Sequence, residues 1–192
     1  MSHELGGDEL IHKTLAVLVS ANPRQYASSP EEGDRANIVG HRLHAEEHGF
    51  VYWNVPASGI SHVWINSVKT IYFVQPSDKP PYRCDVVMYK GDIAHAKHFG
   101  TKTDMRSRFP LEEVKFLYGS RRNVWELEEN GGYDWNTWRG VGKYGFIFFK
   151  IRNIRALKKV HGIRDFAKAL GSPNTLVLKC EKYVVVFDPF FE

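Results

Sequence analysis

YGFIFFKIRNI, residues 144–154, is the stretch most typical of a β-strand in this sequence. Its aromatic and β-branched residues favour a pleated, largely buried backbone. Other strand-like stretches lie at 15–20, 50–55, 70–75, 82–89 and 175–186, with less regular candidates at 114–118 and 123–127. The pattern predicts a sheet of many short strands, in which 70–89 forms a hairpin.

A helix is predicted between the first two of these strands. Ser29-Pro30-Glu31-Glu32 combines a capping serine, a proline at the first helical position and acids in the first turn. Ile38, Leu43 and Ala45 follow at helical spacing, and Gly49 ends the helix. We therefore expect an amphipathic helix that packs on the sheet.

The rest of the chain completes an α+β pattern. Residues 163–170 predict a second, short helix that ends at Gly171, whereas the polar residues 90–108 indicate a long loop or short helix. Many short strands with one early and one late helix favour a closed or partly closed mixed β-barrel of about six strands, flanked by two or three helices. They do not favour a doubly wound sheet.

Composition narrows the class of protein. The 192 residues are 43% hydrophobic, enough for one core and short for two, so we expect a single domain, 1–192. No apolar run approaches the ~20 residues of a membrane span, and the first residues lack the layout of a signal peptide. Cys84 and Cys180 have neither disulfide-framework nor zinc spacing. These features favour a cytoplasmic protein without a membrane or metal cofactor.

Aromatic residues make up 14% of the chain, more than a minimal core of this size needs. Tyr52 and Trp53 are neighbours on a strand and must point to opposite faces, so one of them should face a groove or solvent. Trp135 and Trp138 lie in a stretch of loop composition. With Phe73, these rings are candidates for a cage around a flat ligand, although packing in the core would also explain them.

Polar residues at strand ends are a second candidate set. Ser20, Ala21 and Asn22 end the first strand, and Asn54 and Gln75 lie on two others. Amide groups can read the donors and acceptors of a base edge, as Asn and Gln do with adenine. Turn formation alone would also explain Asn22.

A basic set lies in the middle of the chain. The net charge of +4 permits binding to a polyanion but is weak evidence by itself. Cations interleaved with aromatic residues are typical of contacts to phosphates and unstacked bases. The candidate phosphate-binding residues are Lys102, Arg106, Arg121, Arg122, Arg139 and Lys143.

One motif points to metal chemistry. His44-Ala45-Glu46-Glu47-His48 matches the His-x-x-Glu-His pattern of inverted zinc peptidases, and His41 lies nearby. A third ligand on another helix is not evident, so an exposed polar helix face is the better interpretation, with a zinc-dependent hydrolase as a remote alternative. Gly140-Val141-Gly142 lacks the context of a nucleotide loop. We therefore expect no catalytic residues.

Read in order, these segments resemble a YTH or EVE domain of the PUA-like fold. The resemblance covers about residues 14–180 and has degenerate motifs. Its segments are Leu18–Asn22, Gly49–Pro56, Lys69–Gln75, Tyr82–Val87, and Lys143–Ile151 preceded by Trp135 or Trp138. The chain is also similar to the N-terminal DNA-binding domain of archaeal McrB-like modification-dependent restriction GTPases.

The resemblance implies a non-catalytic reader of methylated nucleic acid. A flipped-out base, N6-methyladenine first and 5-methylcytosine next, would stack on Trp53 and on Trp135 or Trp138. The expected partner is methylated double-stranded DNA, with methylated RNA as the alternative, and no cofactor is implied. The family also implies that a GTPase domain follows residue 192 in a longer chain.

Overall fold

A computed structural model describes residues 14–21, 38–75, 85–100, 144–180 and 182–189. Its strands form one six-stranded mixed sheet in the order β2-β5-β4-β3-β1-β6. Strands β1 and β3 are parallel, and the other neighbouring pairs are antiparallel. The elements in chain order are β1 (Leu15–Ser20), α1 (Ile38–His48), β2 (Val51–Pro56), α2 (Ser61–Trp64), β3 (Val68–Gln75), β4 (Val86–Phe99), β5 (Phe146–Gly162), a 3-10 turn (Ile163–Asp165) and β6 (Tyr183–Phe187).

The sheet is strongly curled. Trp53 in β2 and Phe73 in β3 lie three strand positions apart, which in a flat sheet would separate them by about 14 Å. Their ring centroids are 5.1 Å apart. The sheet therefore forms a half-barrel whose concave, inner face brings distant strands together.

A bulge between β4 and β5 accompanies this curvature. The pairing moves from Lys90 with Arg155 to Asp92 with Arg152, which places one extra residue on β5. Asn153 in the bulge has a φ of 51°. Opposite it, a Cβ atom on Gly91 would lie 2.6 Å from Cγ2 of Ile151. Only a glycine leaves room for this close packing, and bulges increase the local bend of a strand.

Both faces of the sheet carry buried clusters. The inner cluster joins Val17, Phe73 and Phe149 to residues of α1 and α2. The outer cluster joins Leu18 and Tyr72 to side chains of the segment 163–180. Cys180 lies there, and burial, followed by the charge of Asp85, raises the pKa of its thiol to about 12. Alternation along β1 thus supplies apolar side chains to two cores, as strands covered on both faces do.

The predicted α+β class is confirmed, and the described residues form six strands, as expected. The 15–20 strand and the helix that ends at Gly49 are present, and β3 and β4 pair antiparallel as the predicted hairpin requires. The described elements include two α-helices. Of the three apolar residues at helical spacing in α1, Ile38 and Ala45 are buried, whereas Leu43 is 51% exposed. The candidate strands at 114–118 and 123–127, and the predicted helix start at 29–32, lie outside the described residues.

Three predicted elements differ from the structure. Residues 90–99 continue strand β4, because their backbone pairs with β5 as far as Phe99 and Phe146. Residues 163–170 form a helix only in the 3-10 turn, since the amides of Lys168 and Ala169 donate to Thr175 and Val185 at 2.8 and 3.0 Å. The predicted last strand at 175–186 begins only at Tyr183. Tertiary hydrogen bonds override the local pattern in each case.

Gly145 should be intolerant of substitution. It has a φ of +77°, and a Cβ atom there would lie 1.9 Å from the backbone oxygen of Phe99. We expect Gly145→Ala to lower the free energy of unfolding by more than about 2 kcal/mol, from the left-handed backbone and the clash together. Urea unfolding measures this loss.

Gly100→Ala is the matched control. Nothing lies within 4 Å of a Cβ atom at Gly100, so its effect should stay within about 0.5 kcal/mol. Equal losses in the two variants would contradict the packing described for Gly145.

Candidate functional site

The half-barrel divides the predicted pocket residues between its two faces. Alternation along β1 and β2 decides their placement, because neighbouring strand residues point to opposite sides. On the inner face lie Ala21, Trp53, Phe73 and Gln75. On the outer face lie Ser20, Tyr52 and Asn54. Asn22, Trp135 and Trp138 lie outside the described residues.

Tyr52 belongs to an aromatic cluster on the outer face. It is 2% exposed and meets Phe50, His95 and Phe148 in edge-to-face contacts. The Lys150 ammonium lies 3.9 Å from the centroid of the Phe50 ring. The expectation that Tyr52 and Asn54 line one pocket with Trp53 therefore needs correction, because the β2 backbone separates them.

Trp53 is the centre of the inner group. Its ring lies 4.6 Å from that of His41 in α1 and 5.1 Å from that of Phe73, centroid to centroid. His41 and Phe73 are 4% and 0% exposed, whereas Trp53 is only partly buried. Trp53 is therefore the member of this trio that offers ring surface to an incoming molecule. The sequence patterns did not single out His41 as a neighbour of Trp53. The spacing of His41 from Ile38 and Ala45 nevertheless places these three residues on one face of the helix.

Gln75 and Ala21 continue the inner face beyond these rings. Val19 pairs with Phe73, and the Ala21 amide donates to the Val74 carbonyl at 2.8 Å. Ala21 and Gln75 are thus neighbours at the end of the parallel strand pair. We call Ala21, His41, Trp53, Phe73 and Gln75 the inner hollow.

The amide oxygen of Gln75 has an unusual environment. Oε1 is buried and has no hydrogen-bond partner within the described part of the chain. A buried acceptor without a partner costs about 1–3 kcal/mol, and such atoms are rare in folded proteins. The inner hollow therefore contains a hydrogen-bond acceptor that a donor on a ligand can satisfy.

Within the described part of the chain, the histidines of α1 are not grouped with other metal-ligating side chains. His41 packs against Trp53, while the rings of His44 and His48 lie 4.4 Å apart. Burial lowers the pKa of His44, as does the nearby His48, and Glu47 opposes the shift. Over the described ranges, no three His, Cys, Asp or Glu side chains are grouped as metal ligands. The His-x-x-Glu-His motif here forms a ring contact on a helix.

The candidate phosphate-binding residues lie outside the described residues. This holds for Lys102, Arg106, Arg121, Arg122, Arg139 and Lys143. Among the helices that the structure describes, none is long and apolar enough to cross a membrane.

Comparison with known proteins adds no family. No family model matches the chain, and no curated protein is significantly similar to it. Functional inference therefore depends on the residues themselves.

His44 should make stability depend on pH. Its folded pKa lies below the unfolded value of 6.5, so the unfolded chain binds the proton more tightly and acid favours unfolding. The stability is present above pH 6.5 and is lost as the pH falls from there through the lowered folded pKa. His44→Gln should reduce this loss, as measured by urea unfolding at a series of pH values. Parallel pH profiles of the free energy of unfolding in the wild type and the variant would contradict the burial of His44.

Gln75→Met should stabilise the protein. Methionine has a similar length and no acceptor that requires a partner, so the variant removes the cost of the buried Oε1. We expect the free energy of unfolding to rise by up to about 1–3 kcal/mol. Chemical denaturation tests this, and a clear destabilisation would show that the amide is satisfied in the native protein.

Proposed function

We propose that the inner hollow binds one base extruded from a nucleic acid, with N6-methyladenine as the favoured ligand. The observation that carries this proposal is the partly exposed Trp53 ring on the same inner face of the sheet as the buried acceptor of Gln75, which has no hydrogen-bond partner in the described residues. A flat heterocycle with an N–H donor on its edge complements both features. The chain would act as a binding domain without catalysis.

Stacking supplies the first part of the binding energy. A base leaves its stack at a cost of a few kcal/mol. Stacking on an aromatic side chain returns about 1–3 kcal/mol per base. Trp53 offers the largest ring of the hollow, and His41 and Phe73 hold it in place at 4.6 and 5.1 Å. Such support keeps the ring oriented before the ligand arrives, which reduces the entropy lost on binding.

Hydrogen bonding supplies selectivity. The amide of Gln or Asn matches adenine, in which N6 donates and a ring nitrogen accepts. N6-methyladenine keeps one N–H on N6, which can donate to Oε1 of Gln75. Its methyl group needs a dry, roomy neighbour, and the small Ala21 side chain lies beside Gln75 on the same face. A cytosine also carries an exocyclic donor, so 5-methylcytosine is the second ligand to test.

The fold is compatible with the family that the sequence resembles. A curled, six-stranded mixed sheet with helices packed on it is the coarse architecture expected of a PUA-like domain of the YTH or EVE type. As such a module, the chain would recognise DNA for a modification-dependent restriction system whose GTPase motor lies in a separate domain. Methylated RNA is the other substrate of this type of reader.

Binding to matched duplexes tests the proposal. We expect the chain to bind a DNA duplex with one N6-methyladenine more tightly than the unmodified duplex. Trp53→Ala and Gln75→Met should each weaken binding to the methylated duplex by about five- to 150-fold, as the loss of ~1–3 kcal/mol implies, and should change unmodified binding little. Fluorescence anisotropy at one fixed salt concentration measures the wild type and both variants with each of the two duplexes.

Tyr144→Ala is the matched aromatic control, since Tyr144 is 45% exposed and distant in sequence from the hollow. It should leave both affinities unchanged. Equal losses for methylated and unmodified DNA in Trp53→Ala would show that Trp53 serves only the core. Duplexes with 5-methylcytosine and single-stranded methylated RNA identify the preferred ligand.

A further inference from the structure

Positive charge is concentrated in β5 and the turn after it. Residues 150–168 contain seven Lys or Arg and one acidic residue, Asp165, a formal charge of +6. The whole chain carries +4, so the remainder is slightly acidic. The basic character of the protein is therefore a local property of this segment.

Strand β5 contains two irregularities. The first exposes cations to solvent. In a regular strand, Arg152 and Arg155 would point to opposite faces. The extra residue at Asn153 breaks that alternation, and Ile154 enters the inner cluster in its place. As a result, Arg152 and Arg155 are both exposed.

The second irregularity lies further along β5. Pairing with β4 moves from Tyr89 and Ala156 to Val87 and His161, so residues 157–160 form a wide bulge. Leu157 packs against the outer cluster, while Lys158 and Lys159 are exposed. We call Arg152, Arg155, Lys158 and Lys159 the basic ridge. Bulges are frequent where a strand presents side chains for function.

Two acidic residues contact this part of β5 and the turn after it. Asp92 accepts hydrogen bonds from Arg155 at 3.0 Å and from Asn153 at 3.1 Å. Asp165 accepts from the Gly162 amide at 3.1 Å and lies 3.4 Å from His161. Asp92 thus holds the Arg155 guanidinium in one position, and the excess of cations over acids in residues 150–168 makes the segment positive.

We propose that the basic ridge binds the phosphodiester backbone of a nucleic acid. Residues 152–159 span at most about 23 Å of extended chain, a linear array that complements a linear polyanion. Basic surfaces that bind membranes combine cations with apolar side chains. Among the described residues, the large exposed apolar side chains are Leu43, Ile60, Val63, Tyr144, Leu176 and Leu178, and none of them belongs to the segment 152–159. Phosphate contacts at the basic ridge require no base in the inner hollow.

Salt dependence of binding to unmodified nucleic acid tests the ridge separately from the hollow. Each phosphate contact contributes about 0.9 to the slope of log K against log salt for duplex DNA. The double variant Lys158→Ala/Lys159→Ala should lower this slope by about 1.8. Between 50 and 200 mM salt, the affinity of the wild type should therefore fall about tenfold more than that of the variant. The salt dependence is measured with duplex DNA and with duplex RNA of the same sequence.

Two matched variants keep the test decisive. Lys69→Ala/Lys182→Ala removes the same charge from exposed sites outside the ridge and should leave the slope unchanged. Lys158→Arg/Lys159→Arg keeps the charge and should retain binding. Thermal melting confirms that each variant is folded.

Three results would overturn the proposal. The first is equal slopes for the ridge and control variants, which would indicate bulk charge. The second is no binding of the wild type to either duplex at 50 mM salt. The third is that Lys158→Ala/Lys159→Ala loses binding to vesicles of phosphatidylserine and phosphatidylcholine, or to polyglutamate, while its binding to nucleic acid is unchanged. Failure of methyl selectivity alone would affect the hollow and leave the ridge intact.

Discussion

Curvature of the β4–β5 ribbon is the constraint on which the rest of the structure depends. Trp53 meets Phe73 only because the strands between them bend. That bend depends on a position without a side chain, Gly91, opposite a bulge at Asn153. The same bulge sends Ile154 inward and leaves Arg152 and Arg155 exposed. One local irregularity therefore shapes the concave hollow on one face and the cationic surface on the other.

Sequence patterns predicted the elements whose burial is regular. β1 was predicted with its observed bounds, since a short and nearly continuous apolar run that ends at a turn signal, Asn22-Pro23, leaves few alternatives. The long strands β4 and β5 were predicted too short, because bulges break the two-residue alternation that marks a strand. Residues 163–170, which include Ile163 and Phe166, were predicted to form a short helix that ends at Gly171. In the structure both are buried in the outer cluster, and the segment takes its hydrogen bonds from distant strands.

The site was predictable in its residue types and only partly in its grouping. Trp53, Phe73 and Gln75 share a face because β2 and β3 approach each other across the half-barrel, and no sequence pattern shows that approach. Tyr52 and Asn54 were grouped with Trp53 through their closeness in sequence, which on a strand places them on the other side. His41 was weighed as a metal ligand, whereas its helical spacing from Ile38 already indicated a place in the core.

The position of β1 in the sheet affects how the protein folds during its synthesis. β1 lies between β3 and β6, so Leu15 pairs with both Val68 and Phe187, residues separated from it by much of the chain. Contacts of such sequence separation form slowly, because a large loop must close before any pairing is gained. During synthesis on the ribosome, the apolar strand β1 therefore emerges before both of its partners and keeps one edge open until β6 has followed. Nascent chains with an open strand edge associate readily with one another, which makes translation the stage at which this fold most needs protection by chaperones.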